Sequence, residues 1–126
     1  MQTDSTTIAD LQSRALDFVE RRDWGQFHSP RNLAMAVSVE ASELLELFLW
    51  TTDDGPQPLI ESRQKQVEDE AADIMICLLN FCTRAGVDLA GAVDAKLQRA
   101  EAKYPVERVR GKALKYHEYD DWDGDA

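Results

Sequence analysis

The sequence predicts an all-α protein: four main helices and an irregular C-terminal tail. Three observations carry this. The six glycines and four prolines are scarce and fall at punctuation points. Between them, apolar residues recur every three or four positions. No stretch alternates apolar and polar residues well enough to be a strand.

The first helix is expected from a cap within Ser5–Thr7 to about Arg22, with Ile8, Leu11, Ala15, Phe18 and Val19 at helical spacing. Ser29-Pro30 combines an N-cap residue with proline at the first helical position, and opens a second helix to about Thr51. Thr52-Asp-Asp-Gly-Pro-Gln-Pro58 is the clearest loop. A third helix is expected from about Leu59 to Ala85, stopped by Gly86. Asp88 caps a fourth, which ends before Pro105. Residues 1–126 read as a single domain with a mobile acidic tail over 118–126.

With 24 acidic and 14 basic residues the net charge is −10, which argues against a nucleic-acid polymer as partner. The 44% hydrophobic content supplies a core, so a disordered acidic chain is excluded too. The longest purely apolar run, Ile74–Leu79, is far short of the roughly 20 residues that span a bilayer. Residues 1–7 lack the basic flank and apolar segment of a signal peptide. The two cysteines, Cys77 and Cys82, suit reduced thiols in a cytoplasmic protein.

The chemistry lies in acids placed where apolar residues belong. On the second helix Leu33, Val37, Ala41, Leu44 and Phe48 form a core stripe. Glu40 falls within it and Glu43 at its edge, whereas Glu46 points away. On the third, Val67, Ala71, Ile74, Leu78, Phe81 and Ala85 form the stripe, with Glu70 inside it and Asp73 at its margin. Glu68 and Asp69 project outward. Buried carboxylates need compensation, and neither stripe offers a Lys or Arg beside them. Two such pairs on packed helices present four hard oxygen donors, the chemistry that selects Mg²⁺ or Mn²⁺ over Zn²⁺. A di-iron bundle needs Glu-x-x-His pairs, and neither His28 nor His117 supplies one.

Seven basic residues, Lys96, Arg99, Lys103, Arg108, Arg110, Lys112 and Lys115, lie close together before the acidic tail. They suit either phosphate oxygens or an ordinary solvated face. Trp24, Phe27, His28 and Trp50 flank the second helix at its two ends. Trp24 and His28, in a polar connection, are candidates to stack on a base, and packing is expected for Phe27. Cys77 lies one turn beyond Asp73 and can line the same pocket.

Several motifs together resemble the MazG-like all-α NTP pyrophosphohydrolases, in particular their dCTP pyrophosphatase branch. They are Arg22-Asp-Trp-Gly-Gln-Phe-His28, Pro30-Arg-Asn-Leu33, Glu40-Ala-Ser-Glu43, Asp69-Glu70-Ala-Ala-Asp73, Lys103-Tyr-Pro105 and Lys115-Tyr116. The resemblance runs from about residue 15 to 119. It implies hydrolysis of a nucleoside triphosphate to monophosphate and pyrophosphate, with Glu40, Glu43, Glu70 and Asp73 as catalytic Mg²⁺ ligands. It further implies a nucleoside pocket of Trp24, His28 and Trp50, with Lys96, Lys103, Tyr104, Lys115 and Tyr116 near the phosphates. It implies a homodimer or homotetramer with sites partly shared between chains. Three positions depart from the family pattern: Val39 precedes Glu40 where a second Glu is usual, Cys77 replaces a tyrosine, and Ala100 an asparagine. The dCTP branch also tolerates a non-acidic residue at the first; the other two, Cys77 and Ala100, bear on the substrate, so a dUTP-preferring or broad-specificity enzyme is the alternative. A non-catalytic helical oligomerisation module with a structural metal is the rival of another class.

Overall fold

In the computed structural model, residues 5–51, 61–113 and 118 are described, and all regular structure among them is helical. Helix α1 spans Ile8–Arg21. The Thr7 hydroxyl accepts from the Asp10 N–H at 3.1 Å, and the Asp10 carboxylate accepts from the Thr7 N–H at 2.9 Å. This reciprocal capping box fixes the helix start. The helix ends without glycine. Asp23 adopts φ 53°, the Trp24 N–H donates to the Val19 carbonyl at 3.0 Å, and the Asp23 N–H to Glu20 at 3.1 Å. Aspartate is among the few L residues that enter the left-handed region readily. The reversal brings the Trp24 ring edge-on to Phe18, 5.8 Å between centroids. A short 3-10 turn, Gly25–Phe27, follows.

Helix α2 spans Pro30–Glu46, and the Ser29 hydroxyl accepts from the Asn32 N–H at 3.1 Å. It ends five residues before the expected Thr51. From Leu47 the bonds tighten: Leu47 donates to Leu44 at 3.2 Å and Phe48 to Leu45 at 3.0 Å. Apolar spacing does not tell such a tightened terminus from another α-turn. Trp50, at φ 66°, completes the stop. The expected loop at 52–58 and helix start at 59–60 lie outside the described residues. Helix α3 spans Gln64–Ala85 and stops at Gly86, φ 70°. Helix α4, Leu89–Lys103, is capped by Asp88, whose carboxylate accepts from the Gly91 N–H at 3.2 Å. A short α5, Val106–Val109, follows Pro105. No single described helix is long and apolar enough to cross a membrane.

The chain forms two compact units, residues 1–87 and 88–126. In the first, α1 and α2 both pack on α3 around Val19, Leu33, Leu79 and Cys82. Helices α2 and α3 run antiparallel and are tied at both ends by arginines. Arg63, before α3, donates to the Leu47 carbonyl after α2. Arg84, in the last turn of α3, donates through Nε to the His28 carbonyl at 2.8 Å and through Nη2 to Gly25 at 3.3 Å. The second unit contains α4 and α5.

Candidate functional site

The antiparallel pairing of α2 with α3 sets Glu40 and Glu43, one turn apart, against Glu70. One carboxylate oxygen from each of the three lies within 4.8 Å of the other two, and all three residues are half-buried. Glu40 Oε2 and Glu70 Oε2 are shielded from solvent with no hydrogen-bond partner among the described residues. Burial, then the Glu43 carboxyl close by, pushes Glu40 above the usual carboxylate range; the charges of Asp73 and Glu70 push the same way. Burial and Glu43 likewise raise Glu70, helped by Asp73 and Asp69. Like charges so close favour a shared proton or a cation. Asp73 is exposed and stands outside the close cluster, acting on it through charge. Lys65 ion-pairs with Asp69 at 3.0 Å on the exposed side, away from the cluster.

The donor set fits a hard divalent cation. It consists only of oxygens, is anionic, and includes two buried oxygens that nothing else among the described residues satisfies. Cys77, one turn past Asp73, is half-buried, and burial together with Glu40 and Asp73 pushes its thiol up, so it is a neutral group facing an acidic surface.

The aromatic candidates separate. Trp24 and His28 border one cavity of about 560 Å³ between α1, the 3-10 turn and α3, together with Phe18, Met75, Ile76 and Asn80. Trp50 lies beyond the opposite end of α2 and is 93% exposed. The 17 residues of α2 put these ends on the order of 25 Å apart at 1.5 Å per residue. One chain therefore does not bring Trp50 to Trp24 and His28. Phe27 is exposed in the single chain, so of the core or interface packing expected of it the core placement is overturned. Lys96 is exposed on α4, and Lys103 and Tyr104 are half-buried at its C-terminal end. Lys115 and Tyr116 lie outside the described residues.

Sequence reasoning missed the cavity itself and two residues that shape it. Arg84 holds the Trp24–His28 connection to α3, and Asn80 lines the cavity wall. The available signal was polarity: Asn80 interrupts the apolar segment Ile74–Cys82.

Comparison with known proteins adds to this geometry. The model of the MazG-like family matches residues 35–118, about two thirds of the chain, including both acidic pairs. The chain belongs to the MazG-like family. Among similar proteins, dCTP pyrophosphatase 1 of Bos taurus is 40% identical over 112 residues, 87% of this chain and 66% of that protein. The Homo sapiens protein of the same name is 38% identical over 114 residues, 89% and 67% of the two. The chain thus spans just under two thirds of the bovine relative's length. The crystal structure of a pyrophosphatase from Archaeoglobus fulgidus aligns with TM-score 0.74 at 36% identity, covering 83% of this chain and 98% of that one. The resemblance drawn from the motifs, and the all-α fold it implied, are borne out.

Proposed function

We propose that this MazG-like chain hydrolyses nucleoside triphosphates, with dCTP or a modified dCTP as the preferred substrate, to the monophosphate and pyrophosphate. The observation that carries the proposal is the pair of buried, unpartnered oxygens on Glu40 and Glu70, held against Glu43. The relatives named dCTP pyrophosphatase support the choice of base.

Glu40, Glu43, Glu70 and Asp73 would hold Mg²⁺, for which Mn²⁺ can substitute, the first three of them already standing close together. Bound there, Mg²⁺ supplies positive charge against phosphate oxygens and acidity for an attacking water. Water attacks the α-phosphorus, the α–β phosphoanhydride bond breaks, and pyrophosphate leaves. The proton released by the water passes to Glu40 or Glu43. Trp24 and His28 contact the nucleoside, and Cys77 borders it as a neutral side chain. Lys96, Lys103, Tyr104, Lys115 and Tyr116 balance the triphosphate charge. Residues 1–126 act as one functional domain in a cytoplasmic enzyme that clears unwanted nucleotides.

A homodimer or homotetramer completes the site. Besides the side packed on α3, α2 and the turn after it carry a second apolar face, Met35, Val39, Leu45 and Leu49, all exposed in the single chain. A helix apolar on two sides is stable only when both are covered. Trp50, at the end of this face, then serves the site of a neighbouring copy.

Cys77, in place of the family's tyrosine, favours a second reading in which uracil or several bases are accepted. A panel of dNTPs with Mg²⁺, assayed for pyrophosphate and orthophosphate separately, tests both. Pyrophosphate release that is fastest with dCTP supports the first reading. Equal rates across bases support the second. Absence of cleavage by the folded protein, with Glu40→Gln and Glu70→Gln leaving the fold intact, supports the non-catalytic module.

A further inference from the structure

The cavity between α1 and α3 is mostly apolar, and its volume of about 560 Å³ suits a small organic ligand. Among its described lining residues, Arg14, Trp24, His28 and Asn80 carry polar side-chain groups. Asn80 stands apart from the other three because it projects from the central helix itself. It is half-buried, flanked in sequence by Leu79 and Phe81, and no hydrogen bond to its side chain is formed among the described residues. An amide facing an apolar wall has both a donor and an acceptor to satisfy.

Register connects this amide to the acidic cluster. Asp73, Cys77 and Asn80 are spaced i, i+4 and i+7, so they follow one strip of α3. The strip runs between the face packed on α2 and the face toward α1. Its ends are roughly 10 Å apart at 1.5 Å per residue, the scale of a nucleotide from its α-phosphorus to the outer edge of its base. On this register a triphosphate held at the acids would lay its sugar along Cys77 and carry its base toward Asn80 and the cavity.

We propose that Asn80 is a specificity-determining residue that reads the edge of a pyrimidine base in this cavity. Its Oδ1 accepts from the 4-amino group of cytosine and its Nδ2 donates to N3. The Trp24 ring and the Met75–Ile76–Leu79 surface supply the apolar walls. The inference rests on the nucleotide hydrolysis proposed above and names the residue that selects the base.

The test compares wild type and Asn80→Ala on dCTP, on the pyrimidin-2-one deoxynucleotide that lacks the 4-amino group, and on abasic deoxyribose 5′-triphosphate. Wild type is expected to prefer dCTP to the pyrimidinone by roughly 10-fold in kcat/KM, the loss of one well-placed hydrogen bond. Asn80→Ala is expected to lose that preference, mainly through KM on dCTP, and to cleave the abasic substrate as wild type does. Two results overturn the proposal: an unchanged dCTP/pyrimidinone ratio in Asn80→Ala, or an equal loss on the abasic substrate, which marks a scaffold defect. A wild-type protein that cleaves no nucleotide overturns the underlying reading and this one with it, a result distinct from either.

Discussion

At the scale of single residues, the half-buried acids set function against stability. Burial and neighbouring carboxylates raise Glu40 and Glu70. Between the ordinary carboxylate value of about 4.3 and the raised values, the folded chain keeps protons that the unfolded chain has released. Metal-free stability from these groups is therefore full at low pH and falls as pH climbs through that interval. Glu40→Gln carries no charge at any pH. Its melting temperature without metal is expected to match wild type near pH 4 and exceed it increasingly toward neutrality. Mg²⁺ is expected to raise the melting temperature of wild type more than that of the variant. Activity of the same variant is expected to fall by roughly 100-fold or more, beyond the 10–100-fold cost of losing an outer partner of a metal ligand. Thermal scans at a series of pH values, with and without Mg²⁺, check the first two expectations, and pyrophosphate release checks the third. A variant less stable than wild type at neutral pH without metal contradicts the argument.

At the scale of elements, helix starts were legible because their signals are local. Ser29-Pro30 and Asp88 cap where a side-chain oxygen within three residues satisfies a free N–H, and that chemistry is written in adjacent letters. Helix ends were less legible. Asp23 reverses the chain without a glycine, and α2 tightens after Glu46 although its apolar spacing continues. The acidic pairs were legible because a charge inside an apolar stripe is visible in one sequence. The cavity was not, since it depends on Arg84 reaching 56 residues back to the His28 carbonyl. That contact carries a prediction. Arg84→Ala releases the connection bearing Trp24 and His28 but touches no acid. Its KM for dCTP is expected to rise about 10-fold, one to two hydrogen bonds' worth, with kcat nearly kept. Steady-state kinetics separate the two parameters, and a fall confined to kcat contradicts the role. As a contrast, Thr7→Ala removes the α1 capping box without touching the acids or the cavity's polar residues and is expected to cost about 1 kcal/mol of stability with unchanged kinetics.

At the scale of the whole molecule, a single chain leaves too much unpaired. Among the described residues only four apolar side chains are buried, while Leu45 is 68% exposed on the open face of α2. Trp50 is more telling. A bulky residue at φ 66° is strained by roughly 1–2 kcal/mol, and Trp50 is left 93% exposed in the chain that bears it. Trp50→Gly relieves the backbone, so a ring without a function predicts a protein at least as stable and as active. A site shared between copies predicts the reverse for activity, and it also predicts complementation. Trp50→Gly keeps its acids and lacks the ring, whereas Glu40→Gln keeps the ring and lacks an acid. Each alone is expected to be nearly inactive. Co-refolded, the two form mixed assemblies in which the acids of one chain meet the Trp50 of the other. Random pairing in a two-fold dimer restores roughly a quarter of wild-type activity, because half the dimers are mixed and each holds one intact site. Sedimentation establishes that the mixture assembles. Mixed assemblies that stay inactive confine Trp50 to its own chain's site, and an active monomer removes the second copy from the mechanism.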